Sequence, residues 1–256
     1  MKNHIVKAMV MLIVLCMTFP SVARDRKLAQ TSLKFLSVSL DARASGLSSA
    51  LTSKEGAASS MFYNPATMSR MGSFMDMSIG QVSLFADINY IYGAMAFSPS
   101  NGQYGVFGVH FVNVDYGDLY GTVRAENEQG FIETGMFSPQ AYAVGVGYSK
   151  SLTNRFSVGA NVKYVYQNLV GGVSSFSTTD QSPIMGNFDV GVTAVDFGIL
   201  YKTGFRSLNF GMSVRNFSQE VEYIRESFQL PLMFEIGTSM NLVDFMDVNP
   251  EQHSLV

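Results

Sequence analysis

The chain has 256 residues, 47% hydrophobic and 14% charged, with 23 Gly, 20 Phe, 12 Tyr, no Trp and a net charge of −3. Charge is well under the ~25% usual in soluble domains, yet after the first twenty residues no apolar run approaches the ~18 that a membrane helix needs. Membrane helices are thereby excluded, and without a basic stripe to neutralise phosphates no nucleic-acid partner is expected.

Residues 1–23 read as a secretory signal: Lys2 and Lys7 give a positive start, Ala8 to Phe19 an apolar core, and Ser21-Val22-Ala23 a small-residue cleavage site. The single cysteine, Cys16, lies within it, and the preceding Leu15 is too large for a lipoprotein signal. After cleavage no cysteine remains for a disulfide, a thiol nucleophile or a thiolate metal site.

From Thr31 to Met71 small side chains dominate, with Gly46 and Gly56 as breakers and Asn64-Pro65 as a turn signal. This composition does not make a lipid-facing strand, but it packs where space is tight. Residues 71–256 alternate differently. Strands are expected near Phe74 to Leu84, Ile88 to Phe97 and Tyr104 to Val114, in a hairpin from Ala141 to Gln167, and at Val190 to Thr203, Leu208 to Phe217 and Leu232 to Leu242.

The hairpin carries the clearest pattern. Tyr142, Val144, Val146 and Tyr148 alternate with Ala143, Gly145, Gly147 and Ser149; Phe156, Val158, Ala160, Val162, Tyr164 and Tyr166 alternate with Ser157, Gly159, Asn161, Lys163 and Gln167. A period of two puts these sets on opposite faces. Each arm is long enough for the ~9 to 11 residues of a tilted membrane strand, and aromatics stand at its ends as in an interfacial girdle. Connections from the third strand onward alternate short and long: Thr153-Asn154 and Gly204-Phe205-Arg206 are short, whereas Tyr116 to Phe137, Leu169 to Asn187 and Ser218 to Pro231 are long. Membrane barrels sort their loops this way, with the long ones outside the cell. The connection Leu84 to Asp87 is short where a long one is expected. The fold class read from the sequence is all-β, an antiparallel transmembrane β-barrel. His253-Ser254-Leu255-Val256 read as the start of another strand, so the barrel is expected to be incomplete at its C-terminal side.

No catalytic constellation emerges. Of His4, His110 and His253, His110 is the only placed candidate for a triad, and its inward position on a strand makes a polar lining residue the expected role. No zinc spacing and no phosphate loop appear, so no metal or cofactor is expected. Asp118, Glu126, Glu128 and Glu133 lack the spacing of a calcium loop and read as a solvated loop. Asp76, Lys163, Asp196, Lys202, Arg215 and Glu235 fall on inward positions as lumen charges, which must be paired or wet; they read either as a network fastening segment to wall or as a lining for a polar solute.

Several stretches resemble one family. Ala42-Arg43-Ala44, Gly46 to Ala50 and Asn64-Pro65-Ala66 resemble the opening of the FadL-like outer-membrane barrels, and most closely the PorV/PorQ family. Phe85 to Tyr90, Ser157 to Lys163, Leu200 to Phe205 and Leu230-Pro231-Leu232 extend the resemblance along the mature chain. Ser48-Ser49-Ala50 departs from the Gly-Gly-Ala usual there. The resemblance implies a FadL-like barrel in the outer membrane with residues 24–70 folded inside as a plug. It implies a non-enzymatic component of type IX protein secretion that docks secreted cargo or other secretion components; the alternative is a FadL-like transporter of hydrophobic molecules. A barrel hydrolase has almost no residue support. If the plug is buried, the Arg43 guanidinium cannot shed its proton, and a carboxylate partner is expected among Asp76, Asp196 and Glu235.

Overall fold

A computed structural model describes residues 31–48, 50–125, 127–176, 183–223 and 226–245. The signal 1–23, with His4 and Cys16, and the C-terminal stretch with His253 lie outside the described residues, as do Ser49 and Glu126. The described strands are β1 (Met75–Ser83), β2 (Asn89–Phe97), β3 (Val106–Asp115), β4 (Leu119–Arg124), β5 (Phe131–Phe137), β6 (Gln140–Ser151), β7 (Phe156–Phe176), β8 (Pro183–Lys202), β9 (Asn209–Ser218), β10 (Val221–Tyr223), β11 (Glu226–Phe228) and β12 (Met233–Ser239). Eight of them form one sheet in the order β1-β2-β3-β6-β7-β8-β9-β12, each antiparallel to its neighbour. The protein is all-β, and each expected strand is present. β1 and β12 are the outer strands, and no ladder joins them among the described residues.

Local sequence explains the register. Met77, Met95, Val109, Val146, Val162 and Val195 stand opposite one another across six strands, on one face. Such cross-strand pairs contribute about 0.2–1 kcal/mol each, and a one-residue slip would exchange the two faces.

The long connections are not loops. The span expected as a loop from Tyr116 to Phe137 contains the hairpin β4–β5, β7 and β8 run on past Leu169 as a ribbon, and β10–β11 form a small hairpin before β12. Gly121 and Gly135 and a register shift between Gly121 and Thr122 interrupt the alternation there, which hid the hairpin from a period-two reading. These hairpins mark one end of the sheet, the hairpin end; residues 98–105, 152–155 and 203–208 close the other, the turn end. The connection 84–88 is short, as expected, although it lies at the hairpin end.

Residues 31–71 cross one face of the sheet from end to end. Thr31 bridges Gln229 near β11, and Arg70 reaches the turn after β6. Between them lie a one-turn helix α1 (Ala42–Gly46) and 3₁₀ turns at Lys34–Ser37, Ala58–Phe62 and Pro65–Arg70. Asp41 caps α1, accepting from the N–H groups of Arg43 and Ala44 at 2.7 and 3.2 Å. Phe35, Leu40 and Leu33 pack with Tyr90, Val114 and Val165 toward the hairpin end, and Met61 and Met68 with Ala94, Ala96 and Val106 nearer the turns.

Candidate functional site

The face under the segment is built from small residues placed in register. Gly108 is opposite Gly147, Gly159 opposite Gly198, and Gly211 opposite Gly237. Gly147 pairs with Asn161, so the second pair lies two residues nearer the turn end; Gly198 pairs with Ser213, so the third lies two residues nearer again. A two-residue step of about 6.8 Å for every two strand spacings of about 9.6 Å makes a trench inclined about 35° to the perpendicular of the strands.

The segment occupies this trench. Met61 lies over Gly108 and Gly147, the Pro65–Ala66 peptide over Gly159, Asn64 over Gly198, and Thr52 with Ser53 over Gly211. Over Gly159 and Gly211 the obstacle to a Cβ is backbone, which cannot swing away. Asn64 is fully buried, and its amide group donates to Thr52 O at 2.5 Å and Ile199 O at 3.0 Å, while its oxygen accepts from Ala66 N–H at 3.0 Å. One side chain therefore caps a turn of the segment and ties it to β8.

The expected lumen charges all lie on this covered face, and all have partners. Lys163 Nζ meets both oxygens of Asp196 at 2.9 and 2.8 Å. Asp196 also accepts from Asn161 Nδ2 at 2.8 Å and from Asn216 N–H at 2.7 Å. Asn216 has φ 62°, the left-handed conformation that Asn tolerates; the irregularity of β9 here aims its N–H at the carboxylate. Arg215 pairs with Glu235 at 2.7 Å and donates to Phe62 O, and Thr52 Oγ1 donates to the other Glu235 oxygen at 3.2 Å. Lys202 pairs with Glu55 at 2.5 Å, and Asp76 accepts from Ala58 N–H at 2.9 Å. Wall and segment are joined at Glu235, Arg215, Lys202 and Asp76, whereas Lys163–Asp196 is internal to the wall.

The arrangement fastens segment to sheet. His110 is buried, and its Nε2 faces the amide of Asn161 at 2.9 Å from Nδ2; among the described residues no carboxylate and no serine hydroxyl is bonded to the ring. No group of three His, Cys, Asp or Glu among the described residues could hold a metal ion.

The opening motif divides in two. Asn64, Pro65 and Ala66 are buried in the trench, and Ala44 is buried, but Ala42, Arg43 and Gly46 are exposed. The carboxylate partner expected for Arg43 is absent among the described residues: Asp196 and Glu235 are held by Lys163 and Arg215, and Asp76 by a backbone N–H. Arg43 is solvated, so its charge needs no partner. Ser48, where glycine is usual in the resembling family, has φ 52°, a left-handed turn made without glycine.

The opposite face is bare. Met77, Ile79, Val146, Phe197, Phe234 and Ile236 are each half or more exposed, and Ile91, Val109, Val144 and Val162 nearly so. Charge on this face is confined to strand ends, with Asp115 and Asp189 toward the hairpins and Lys150 toward the turns. At the hairpin end Ser83, Asn89, Asp115, Gln140, Asn168 and Asp189 form one polar row across six strands. No protein-family model matches the chain, and no curated protein matches it.

Proposed function

We propose that the protein is a non-enzymatic outer-membrane β-barrel of the PorV/PorQ type whose hairpin end docks secreted proteins or other components of type IX secretion. The observation that carries the membrane assignment is the bare face: an apolar surface over eight strands is far larger than the few hundred Å² a soluble monomer exposes. From Phe156 to Tyr166, β7 rises about 34 Å along the strand. Inclined as the trench is, that is about 28 Å along a membrane normal, against an apolar band of ~25 Å in outer-membrane barrels. With the glycine trench level in the membrane plane, its 35° slope matches the 35–45° strand tilt of such barrels.

Docking is favoured over transport by what occupies the covered face. The cavity between Phe35, Leu40, Phe62, His110, Lys163 and Arg215 is only about 40 Å³, against the ~300–1,000 Å³ of ordinary small-molecule sites. A second hollow, about 360 Å³ between Ala50, Thr52, Ser53 and Phe234–Thr238, lies along the edge of β12 that pairs with no strand among the described residues. A solute would have to displace Asn64 and the ion pairs around it. The β4–β5 hairpin instead offers Tyr120 and Met136, 79% and 60% exposed and directly opposite one another. A photo-crosslinker at Tyr120 in native outer membranes should capture secreted proteins or secretion components in stoichiometric yield. Recovery of uncrosslinked protein, with uptake of hydrophobic solutes lost on deletion, would favour the transporter.

A further inference from the structure

We infer that the turn at residues 152–155 is a seat for the headgroup of an anionic phospholipid, an assignment that rests on the membrane reading above. Three cations border this four-residue turn. Lys150 leaves β6 on the bare face two residues beyond Tyr148, Arg155 is exposed, and Arg70 comes from the covered side, donating to Ser157 Oγ at 3.0 Å and Thr153 O at 3.1 Å. None of the three has a carboxylate partner among the described residues. The neighbouring turn is different: Lys202 is paired with Glu55, and Arg206 donates to Asp244 O and lies 4.0 Å from the Phe245 ring centroid. Arg155 leans toward that turn, where a Cβ on Gly204 would be 2.8 Å from its Cζ, and its carbonyl accepts from Lys202 N–H at 2.7 Å.

The occupant follows from charge and position. Leu152, 56% exposed, projects from the same turn, and Tyr148 and Phe156 flank it on the bare face. An acyl chain can lie along that apolar border while its phosphate meets Lys150 and Arg155 at the edge of the band, with Arg70 adding positive charge from the covered side. Free phosphate would use the cations and leave Leu152 without a role. The hairpin end could not serve: Asp87, Asp115, Asp118, Glu128, Glu133, Asp189, Glu220 and Glu222 lie there, and they outnumber the described cations Lys34 and Arg124. The turn end thus belongs in an anionic headgroup layer, and the hairpin end away from it.

The chain has no tryptophan, so Leu152→Trp supplies a single reporter among these 256 residues. In vesicles of phosphatidylcholine with and without phosphatidylglycerol, quenching by brominated phosphatidylglycerol should exceed that by brominated phosphatidylcholine about fivefold per cation engaged, since each is worth about 1 kcal/mol near an anionic surface. Adding Lys150→Gln and Arg155→Gln, both accessible positions, should bring the ratio close to one. Equal quenching before those substitutions would overturn the seat, and loss of the preference on adding inorganic phosphate would overturn the lipid as its occupant. Val146→Trp separates the two levels. If both brominated lipids quench it equally, the membrane reading stands and the quenching ratio of the Leu152→Trp protein judges the seat; if neither does, the membrane reading falls and the seat with it.

Discussion

Gly159 lies directly beneath the Pro65–Ala66 peptide, so that a Cβ at position 159 would be 2.5 Å from both Pro65 C and Ala66 N. Neither atom can rotate away as a side-chain tip could, and the segment is fixed on both sides by Asn64. Gly159→Val should therefore lift the segment or strain β7 by about 1–3 kcal/mol, the usual range for overpacking. Limited proteolysis within residues 50–70 reads the change. Gly46→Ala, in α1 with nothing within 4 Å of its Cβ, should leave proteolysis unchanged and gain up to about 1 kcal/mol of helix propensity.

Asp196 holds a lysine, an amide and the N–H of a left-handed residue at once. Asp196→Ala should cost about 3–5 kcal/mol, because Lys163 would lose its partner beneath the segment. Lys163→Met in the Asp196→Ala background should recover part of that loss by removing the stranded amine. A thermal or urea unfolding cycle over the four proteins measures the coupling, and additive effects would show that the pair is not the unit described.

Arg43 is a prediction of the opposite kind. Exposed and without a carboxylate partner among the described residues, it should tolerate Arg43→Ala within about 0.5 kcal/mol. A loss of several kcal/mol in the same unfolding assay would restore the buried pairing expected from charge accounting.

These contrasts show what was legible in the sequence. Tyr142 to Ser149 and Phe156 to Gln167 gave both strand and facing, because period-two alternation is local and survives any tertiary context. Their partners were not legible. That Gly159 faces Gly198 depends on register between β7 and β8, that Glu55 meets Lys202 depends on a chain reversal far upstream, and that Asn216 turns its N–H to Asp196 depends on an irregularity in β9. The β4–β5 hairpin was missed because Gly121 and Gly135 break the alternation on which strand recognition rests. Arg43 failed differently: its burial came from resemblance, and the partner was then deduced from that burial. Gly145 shows the same limit for experiments planned on facing alone, since a side chain there would strike His110 and Lys163 whatever lies behind the sheet.

A test of depth should accordingly stay on one face. Val146→Arg, mid-strand in β6 and 61% exposed, should cost about 2–4 kcal/mol of membrane assembly, and Gln140→Arg, in the polar row at the strand end, about 0–1 kcal/mol. Urea titration of folding into lipid vesicles gives both numbers. Equal costs would mean that no hydrocarbon layer covers β6.

The central claim, that the bare face meets lipid while the segment seals the other, is tested most directly by a cysteine scan from Ala141 to Tyr148 in a Cys16-free protein in bilayers. A spin label at Tyr142, Val144, Val146 and Tyr148 should be relaxed by lipid-dissolved oxygen and shielded from a water-soluble nickel reagent, while cysteines at Ala141 and Ala143 should be protected from both. Relaxation of the Val144 and Val146 labels by the aqueous reagent, with no oxygen preference, would contradict the account.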